Sequence, residues 1–349
     1  MTIIYFILIL GIIVLVHELG HLLTAKMFGV YCREFAIGMG PKVKSIQGKE
    51  TVYSIRALPL GGFVSMAGEE GVDIEGMDPK RTLKGIAHWK RIIIMLSGII
   101  MNMILAWVIF VGIFVYQGER ALAPEPVIAG IVENSVAQQV GLETNDRIVR
   151  IEFHDGTKLV PKDFYEIITF TQLYGDHSMT YVIDREGTTL TYQIQPLYDE
   201  TEGRYMVGLL LPRPQIVQLS FFDSIVAATE TTFSSIRDIF TTLSRLIRGI
   251  GLGAISGPLG IYDVTAQQAS AGILSLIALT ALLSINVGIF NLLPLPLLDG
   301  GRVILTLVEM ITRRPVNAKI EQALMMMSML LVIALMVFVT WQDIVRLFS

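Results

Sequence analysis

The chain has 349 residues, 52% of them hydrophobic and only 17% charged, with a mean hydropathy of +0.60. Soluble domains carry about 25% charged residues, so this composition excludes an ordinary soluble protein and points to a polytopic membrane protein. A formal net charge of −4 gives no reason to expect a nucleic-acid partner, and a single cysteine, Cys32, excludes an intrachain disulfide.

Residues 1–28 form the first membrane segment, apolar from about Ile3 to Phe28. No basic leader or small-residue cleavage site marks a signal peptide, so the segment is expected to stay as a helix. Residues 3–16 carry no charge, and His17-Glu18-Leu19-Gly20-His21 follows them directly. Residues four apart share a helix face, so two imidazoles at this spacing can share a zinc ion. Glu18 lies about 100° round the helix, free to act as general base on water instead of coordinating. Three ionisable groups in a lipid-spanning helix are costly unless a partner or a function offsets them.

Residues 29–91 are expected on the cytoplasmic side. Phe35–Pro41, Val43–Ile46 and Thr51–Ile55 read as short strands with a Gly48-Lys49 turn, and Leu58–Met66 as a re-entrant β-like stretch. Residues 69–84 read as a mobile charged loop, and His88 beside Trp89-Lys90-Arg91 as an interfacial anchor. The second segment, 92–117, spans Ile92 to Tyr116 and sets Gly98 and Asn102 four apart, a pattern for close helix packing with an interhelical hydrogen bond.

Residues 118–215 read as an extracytoplasmic α+β module. Its expected elements are strands at Val127–Val132 and Asp146–Glu152, helices at Ala137–Gly141 and Asp163–Leu173, and a hairpin of Met179–Asp184 with Thr188–Ile194. The run Val136–Ile148 resembles a PDZ domain of the permuted bacterial type, with Asn145 where a glycine is common. That resemblance implies either peptide binding by strand addition or a steric gate. His154 and His177 read as surface residues. Residues 216–260 are expected to hold exterior amphipathic helices and a glycine-rich linker, with the apolar series Phe221, Ile225, Phe233, Ile236, Phe240 and Leu243 at helical spacing.

The third segment, 261–301, spans Ile273 to Leu293 and ends in Asn291-Leu292-Leu293-Pro294-Leu295-Pro296-Leu297-Leu298-Asp299-Gly300-Gly301. Two prolines forbid regular helix there, and irregular backbone at membrane depth needs protein or a water-filled cavity around it. Such a break lets Asp299 reach a metal as the third ligand; the alternative is that its carboxylate caps the helix starting near Arg302. Ser284, Asn286 and Asn291 need polar partners in this span. Residues 302–322 are expected to be a cytoplasmic loop, and 323–349 a fourth segment spanning Ala323 to Trp341, Met-rich for adaptable packing. Basic residues outnumber acidic ones 11 to 7 over 26–91, against 11 to 19 over 119–270. The positive-inside rule then sets 26–91 and 302–322 in the cytoplasm and both termini outside.

HELGH and the NLLPLPLLDGG run together resemble the site-2 protease family of intramembrane zinc metalloproteases, in its bacterial RseP-like branch. Phe35–Pro41, Pro59–Val64 and Ser256–Ile261 match it too, in the family's order. The resemblance implies a polytopic α-helical protein with four transmembrane helices, a cytoplasmic-side re-entrant β-like region and an extracytoplasmic PDZ domain. It implies Zn2+ held by His17, His21 and Asp299, with Glu18 catalytic. It also gives Gly61, Gly62, Phe63 and Val64 a substrate-pairing edge strand, where a plugging hairpin is the alternative. Asn286, Asn291, Pro294 and Pro296 would hold the unwound substrate, where helix–helix hydrogen bonding is the alternative for the amides. Expected substrates are single-span membrane proteins already shortened outside, such as an anti-sigma factor or a remnant signal peptide, in the bacterial cytoplasmic membrane. A transporter would show polar groups or repeats through several spans, and a membrane-anchored scaffold would not need Glu18.

Overall fold

The computed structural model describes residues 1–69, 76–200, 203–247 and 257–348. The chain divides into two compact units, Met1–Tyr116 with Phe221–Ser349, and Gln117–Ser220. Among the described residues four helices are long and apolar enough to cross a membrane: Thr2–Met27, His88–Gln117, Ile273–Asn291 and Ala318–Val345.

The first unit opens with α1 (Thr2–Met27), followed by β1 (Cys32–Gln47) and β2 (Val52–Met66). Here the expectation of three short strands and a separate re-entrant stretch is corrected. Both strands are long, and Leu58–Met66 belongs to the second of them. Gly38 and Gly40 stand at φ +86° and +84° and bend β1 without ending it. Glu34–Ile37 therefore pairs with Ser65–Gly62 on one side and with Val52–Ile55 on the other, while Lys42–Gln47 takes Arg56–Val52. The first half of β1 lies in the middle, and Gly62–Met66 forms an outer row. Glu34 is buried in that middle strand and accepts from Ser54 Oγ at 2.5 Å and Arg56 Nη2 at 2.9 Å, with Lys42 Nζ 3.1 Å away. Burial opposes its ionisation, but these three partners hold its carboxyl below the usual range. Leu22, Phe35, Val64, Ile94 and Met95 form the core that joins α1, the sheet and α2 (His88–Gln117).

In the Gln117–Ser220 unit, β3 (Glu119–Leu122) precedes β4 (Gly130–Ile131), α3 (Val136–Val140), β5 (Arg147–Glu152) and β6 (Lys158–Leu159). There follow α4 (Phe164–Tyr174), β7 (Met179–Arg185), β8 (Thr188–Ile194), β9 (Leu197–Asp199), β10 (Arg204–Met206), β11 (Leu209–Leu210) and β12 (Gln215–Gln218). The main sheet has the order β6-β5-β7-β8; the pairs β3 with β12, β4 with β11, and β9 with β10 stand beside it. Ser135 and Asp163 cap α3 and α4 through their side chains. Asn145 takes φ +73°, the left-handed turn that suits asparagine in place of glycine. The strand expected at Val127–Val132 shrinks to two residues because the segment changes partner midway. Val127 bridges to Arg147, whereas Ala129 N–H bonds Leu210 O. The short strands β9 to β12 carry no alternating pattern that the sequence could reveal. Tyr181 is fully buried in the core; burial, opposed by a 3.2 Å hydrogen bond to Thr171, pushes its hydroxyl up to about 12.

The first unit resumes with α5 (Phe221–Ile247), one continuous helix where several were expected. The glycine-rich stretch 249–256, with Ser256 of the family motif, lies outside the described residues. Next, α6 (Pro258–Ala271) is helical in a region expected to be linker and the start of a span. It begins where Asp343 accepts Gly257 N–H at 3.2 Å and Gly260 N–H at 3.0 Å, a cap supplied from the far end of the chain. Gly272, at φ +120°, separates it from α7 (Ile273–Asn291). The expected loop 302–322 is mostly helix instead: α8 runs Asp299–Thr312, amphipathic, and stops at Arg313 in a left-handed conformation. Finally α9 (Ala318–Phe348) starts earlier than expected, because Asn317 Oδ1 accepts Lys319 N–H at 2.9 Å.

Candidate active site

Both histidines of the HELGH run are buried on one face of α1, and Asp299 opens α8 beside them. His17 Nε2 and His21 Nε2 are 3.2 Å apart; Asp299 Oδ2 lies 3.1 Å from the first and 3.3 Å from the second. Ligand distances of 2.0–2.2 Å on a tetrahedral zinc put neighbouring donors roughly 3.3–3.5 Å apart, so the spacing fits that ion. The capping alternative for Asp299 is not what the geometry holds: α8 has Leu298 at its N-cap and no side-chain cap bond. Asp299 Oδ2 is buried without a hydrogen-bond donor, as expected of an oxygen whose partner is a metal.

Neighbouring backbone fixes this arrangement. His21 Nδ1–H donates to Ile94 O at 2.8 Å, which leaves the Nε2 lone pair free to coordinate a metal. Asn102, fully buried, reaches His17 Nδ1 at 3.3 Å, and its own Oδ1 has no partner. An imidazole that gives Nε2 to a metal carries its proton on Nδ1, and an amide turned to present Oδ1 satisfies both groups. A Cβ on Gly98 would stand 2.5 Å from His21 Nε2 and 2.9 Å from His17 Nε2, so α2 leaves room where the imidazoles converge. The turn before Asp299 uses the same device. A Cβ on Gly300 would meet Leu292 O at 2.1 Å, and one on Gly301 would meet Leu295 O at 2.2 Å. The proline-rich turn folds back over these two glycines, and that aims Asp299 at α1.

A cavity of about 560 Å3 opens onto the three donors and Glu18. The Val64 backbone lies beside the Glu18 carboxylate, and Gly62 lies against the same side chain: a Cβ at Gly62 would stand 3.5 Å from Glu18 Cγ. Phe63, Val64 and Asn291 line the cavity; Gly61 lies against Met39, and Asn291 Nδ2 donates to Val287 O at 3.0 Å. Asn286, Pro294 and Pro296 are not among the lining residues. Sequence reasoning misses two groups. Helix packing is the pattern's reading of Asn102, although its spacing from Gly98 does set it on the face that meets His17. Arg302 Nη1 donates to Glu69 Oε1 at 2.6 Å across the cavity wall, a pairing 233 residues apart that no local pattern signals. His154 and His177 stack on each other at 3.8 Å in the Gln117–Ser220 unit. Among the described residues the group of three donors able to hold a metal is His17, His21 and Asp299.

A metal-competent triad at the meeting of apolar, membrane-length helices defines a class, the intramembrane zinc metalloproteases. Residues 5–335 match the sequence profile of Peptidase family M50, and the chain belongs to that family. It is 33% identical to the zinc metalloprotease RasP of Bacillus licheniformis and 31% identical to the regulator of sigma-W protease RasP of Bacillus subtilis, each match covering 99% of both chains. A Clostridium perfringens protein provisionally named a zinc metalloprotease is 36% identical over 350 residues, again covering 99% of both chains. The protein is a zinc metalloprotease of the site-2 type.

Proposed function

We propose that His17, His21 and Asp299 hold the catalytic zinc and that Glu18 is the general base. The observation that carries this reading is the mutual spacing of three buried donor atoms, 3.1 to 3.3 Å, with Glu18 in the same cavity. Zinc, when bound, supplies a Lewis acid that polarises a carbonyl and makes water a better nucleophile. Glu18 takes the proton of the attacking water and passes it to the leaving amine. Glu18 and Val64 line the same cavity as the three donors.

A peptide bond within a helix is shielded by its own hydrogen bonds, so the substrate must unwind before it is cut. The outer row Gly61–Val64 offers it a strand edge beside Glu18, and Asn291 offers an amide from the opposite wall. Asn286, Pro294 and Pro296 act at one remove, by shaping α7 and the turn that carries Asp299. Substrates on this reading are single-span membrane proteins already trimmed outside the membrane, of the anti-sigma-factor or remnant-signal-peptide kind. The name of the Bacillus subtilis relative, a regulator of sigma-W, supports that choice. We place the protein in the bacterial cytoplasmic membrane with both termini outside. The Gln117–Ser220 unit serves there as a PDZ-like module that binds peptide or excludes bulky exterior domains.

Metal analysis of purified His17→Ala, His21→Ala and Asp299→Ala variants tests the ligand set. Each is expected to lose zinc and cleavage of a single-span peptide together. A variant that keeps both refutes the assignment of that residue.

A further inference from the structure

The start of α2 and the end of α8 enclose a second cavity, of about 400 Å3, lined by Lys84, His88, Arg91, Glu309, Arg313 and Arg314. Five of these six side chains are cationic or can become so. The one acid is already engaged: Glu309 Oε1 accepts Val316 N–H at 3.0 Å, and Oε2 takes Arg91 Nη1 at 2.6 Å with His88 Nε2 4.0 Å away. Lys84 lies 3.9 Å from Glu321. Arg313 and Arg314 line the cavity, are exposed, and form no ion pair among the described residues. Arg91 lines the same cavity, and its Nε is buried with no hydrogen-bond partner.

The chain builds this cavity around a turn. Arg313 leaves the helix at φ +55°, and Pro315 prevents α8 from continuing. The following residues fold back, fixed by Thr312 Oγ1 to Arg314 O at 3.3 Å and by Val316 on Glu309. The cavity also sits at a recognisable depth. His88 is the first residue of a membrane-length helix; beside it Trp89 meets Phe28 edge-on at 5.6 Å, and Lys90 Nζ stands 5.5 Å over the Phe28 ring. Aromatic and lysine side chains of this kind mark the bilayer–water boundary. The positive end of the α2 dipole adds to the field there.

We propose that this cavity binds the phosphodiester headgroup of an anionic phospholipid. Free phosphate shares the chemistry, but the opening lies at headgroup depth, where phosphodiesters are concentrated and basic pockets select anionic lipids. Because α8 begins at Asp299, a lipid held at Arg313 and Arg314 anchors the far end of the helix that carries the carboxylate. The proposal stands independently of the metal assignment.

Native mass spectrometry of the full chain, exchanged from detergent supplemented with phosphatidylglycerol or phosphatidylcholine, tests it. The wild type should retain one phosphatidylglycerol in preference to phosphatidylcholine by tenfold or more, at about fivefold per arginine. The Arg313→Gln, Arg314→Gln double variant should bring the ratio near one at unchanged zinc content. Should it not fold, Arg314→Gln alone should cut the ratio about fivefold and Arg314→Lys should restore it. Equal retention of the two lipids by the wild type, or an unchanged ratio in the variants, overturns the proposal. So does a rise in melting temperature with inorganic phosphate alone that equals the rise with phosphatidylglycerol.

Discussion

In the membrane unit, His17, His21, Asn102 and Ser284 are all buried among apolar helices, and they converge on one spot: Ser284 Oγ donates to Asn102 O at 2.9 Å, and Asn102 meets His17. In the Gln117–Ser220 unit the buried charge is Asp146, which takes Arg185 Nε at 2.7 Å and Nη2 at 2.8 Å and caps the Glu143 amide at 2.8 Å. The first group leaves an oxygen of Asp299 without a donor; the second is closed on itself. The contrast separates two uses of a buried polar side chain. One keeps an acceptor free for chemistry, whereas the other ties a turn to a strand and asks for nothing further.

Substitutions in the two groups should separate these uses. The largest effect belongs to Glu18→Gln, which keeps the shape of the site and removes the base. Cleavage of a single-span peptide should fall about a thousandfold with zinc content unchanged; normal turnover would refute the assignment. Next comes Gly98→Ala, whose methyl would press on both imidazoles. Zinc affinity, measured by competition with a chelator, should drop about 10- to 100-fold, comparable to the loss of a supporting group. Asn102→Ala removes the support of His17 without adding bulk, and should cost about tenfold in the same assay.

The smallest effect on catalysis is expected in the other unit. Asp146→Ala should lower the stability of that unit by about 2 kcal/mol, read by hydrogen exchange, and leave zinc content alone. Burial disfavours the Asp146 anion, but the Arg185 and Glu143 hydrogen bonds outweigh it and hold the folded carboxyl below its usual value. A depressed folded value means stability that is complete above the unfolded value of about 3.9 and is lost as pH falls below it. Protection of this unit's amides, taken relative to their intrinsic exchange rates, should therefore fall on acidification below about pH 4 in the wild type, and less so in the variant.

The sequence revealed the parts of this molecule that depend on local periodicity. HELGH declares its shared face by spacing alone, and the two prolines before Asp299 announce the break that frees it. Asp163 and Gly141 bound their helices where capping rules put them. What stayed hidden depends on meetings between distant segments. The doubling of β1 between the two halves of β2 follows from bends at Gly38 and Gly40 that no alternation pattern encodes. Asp343 capping α6 and Glu69 pairing with Arg302 join residues 83 or more positions apart. The helix in 299–312 was legible only through the capping alternative for Asp299, because a short segment with Arg302 at one end and Arg313 and Arg314 just past the other also reads as a loop.

The donors of the triad come from opposite ends of the chain, and this has a consequence for biosynthesis. The ribosome completes α1, with both histidines in it, long before α7 and the glycine-backed turn beyond it are made. On the proposed ligand set, the nascent protein holds two of the three zinc donors through that interval and would not yet hydrolyse the other chains passing beside it in the insertion machinery. Proteolytic competence would then arrive late in translation, with the Asp299 carboxylate.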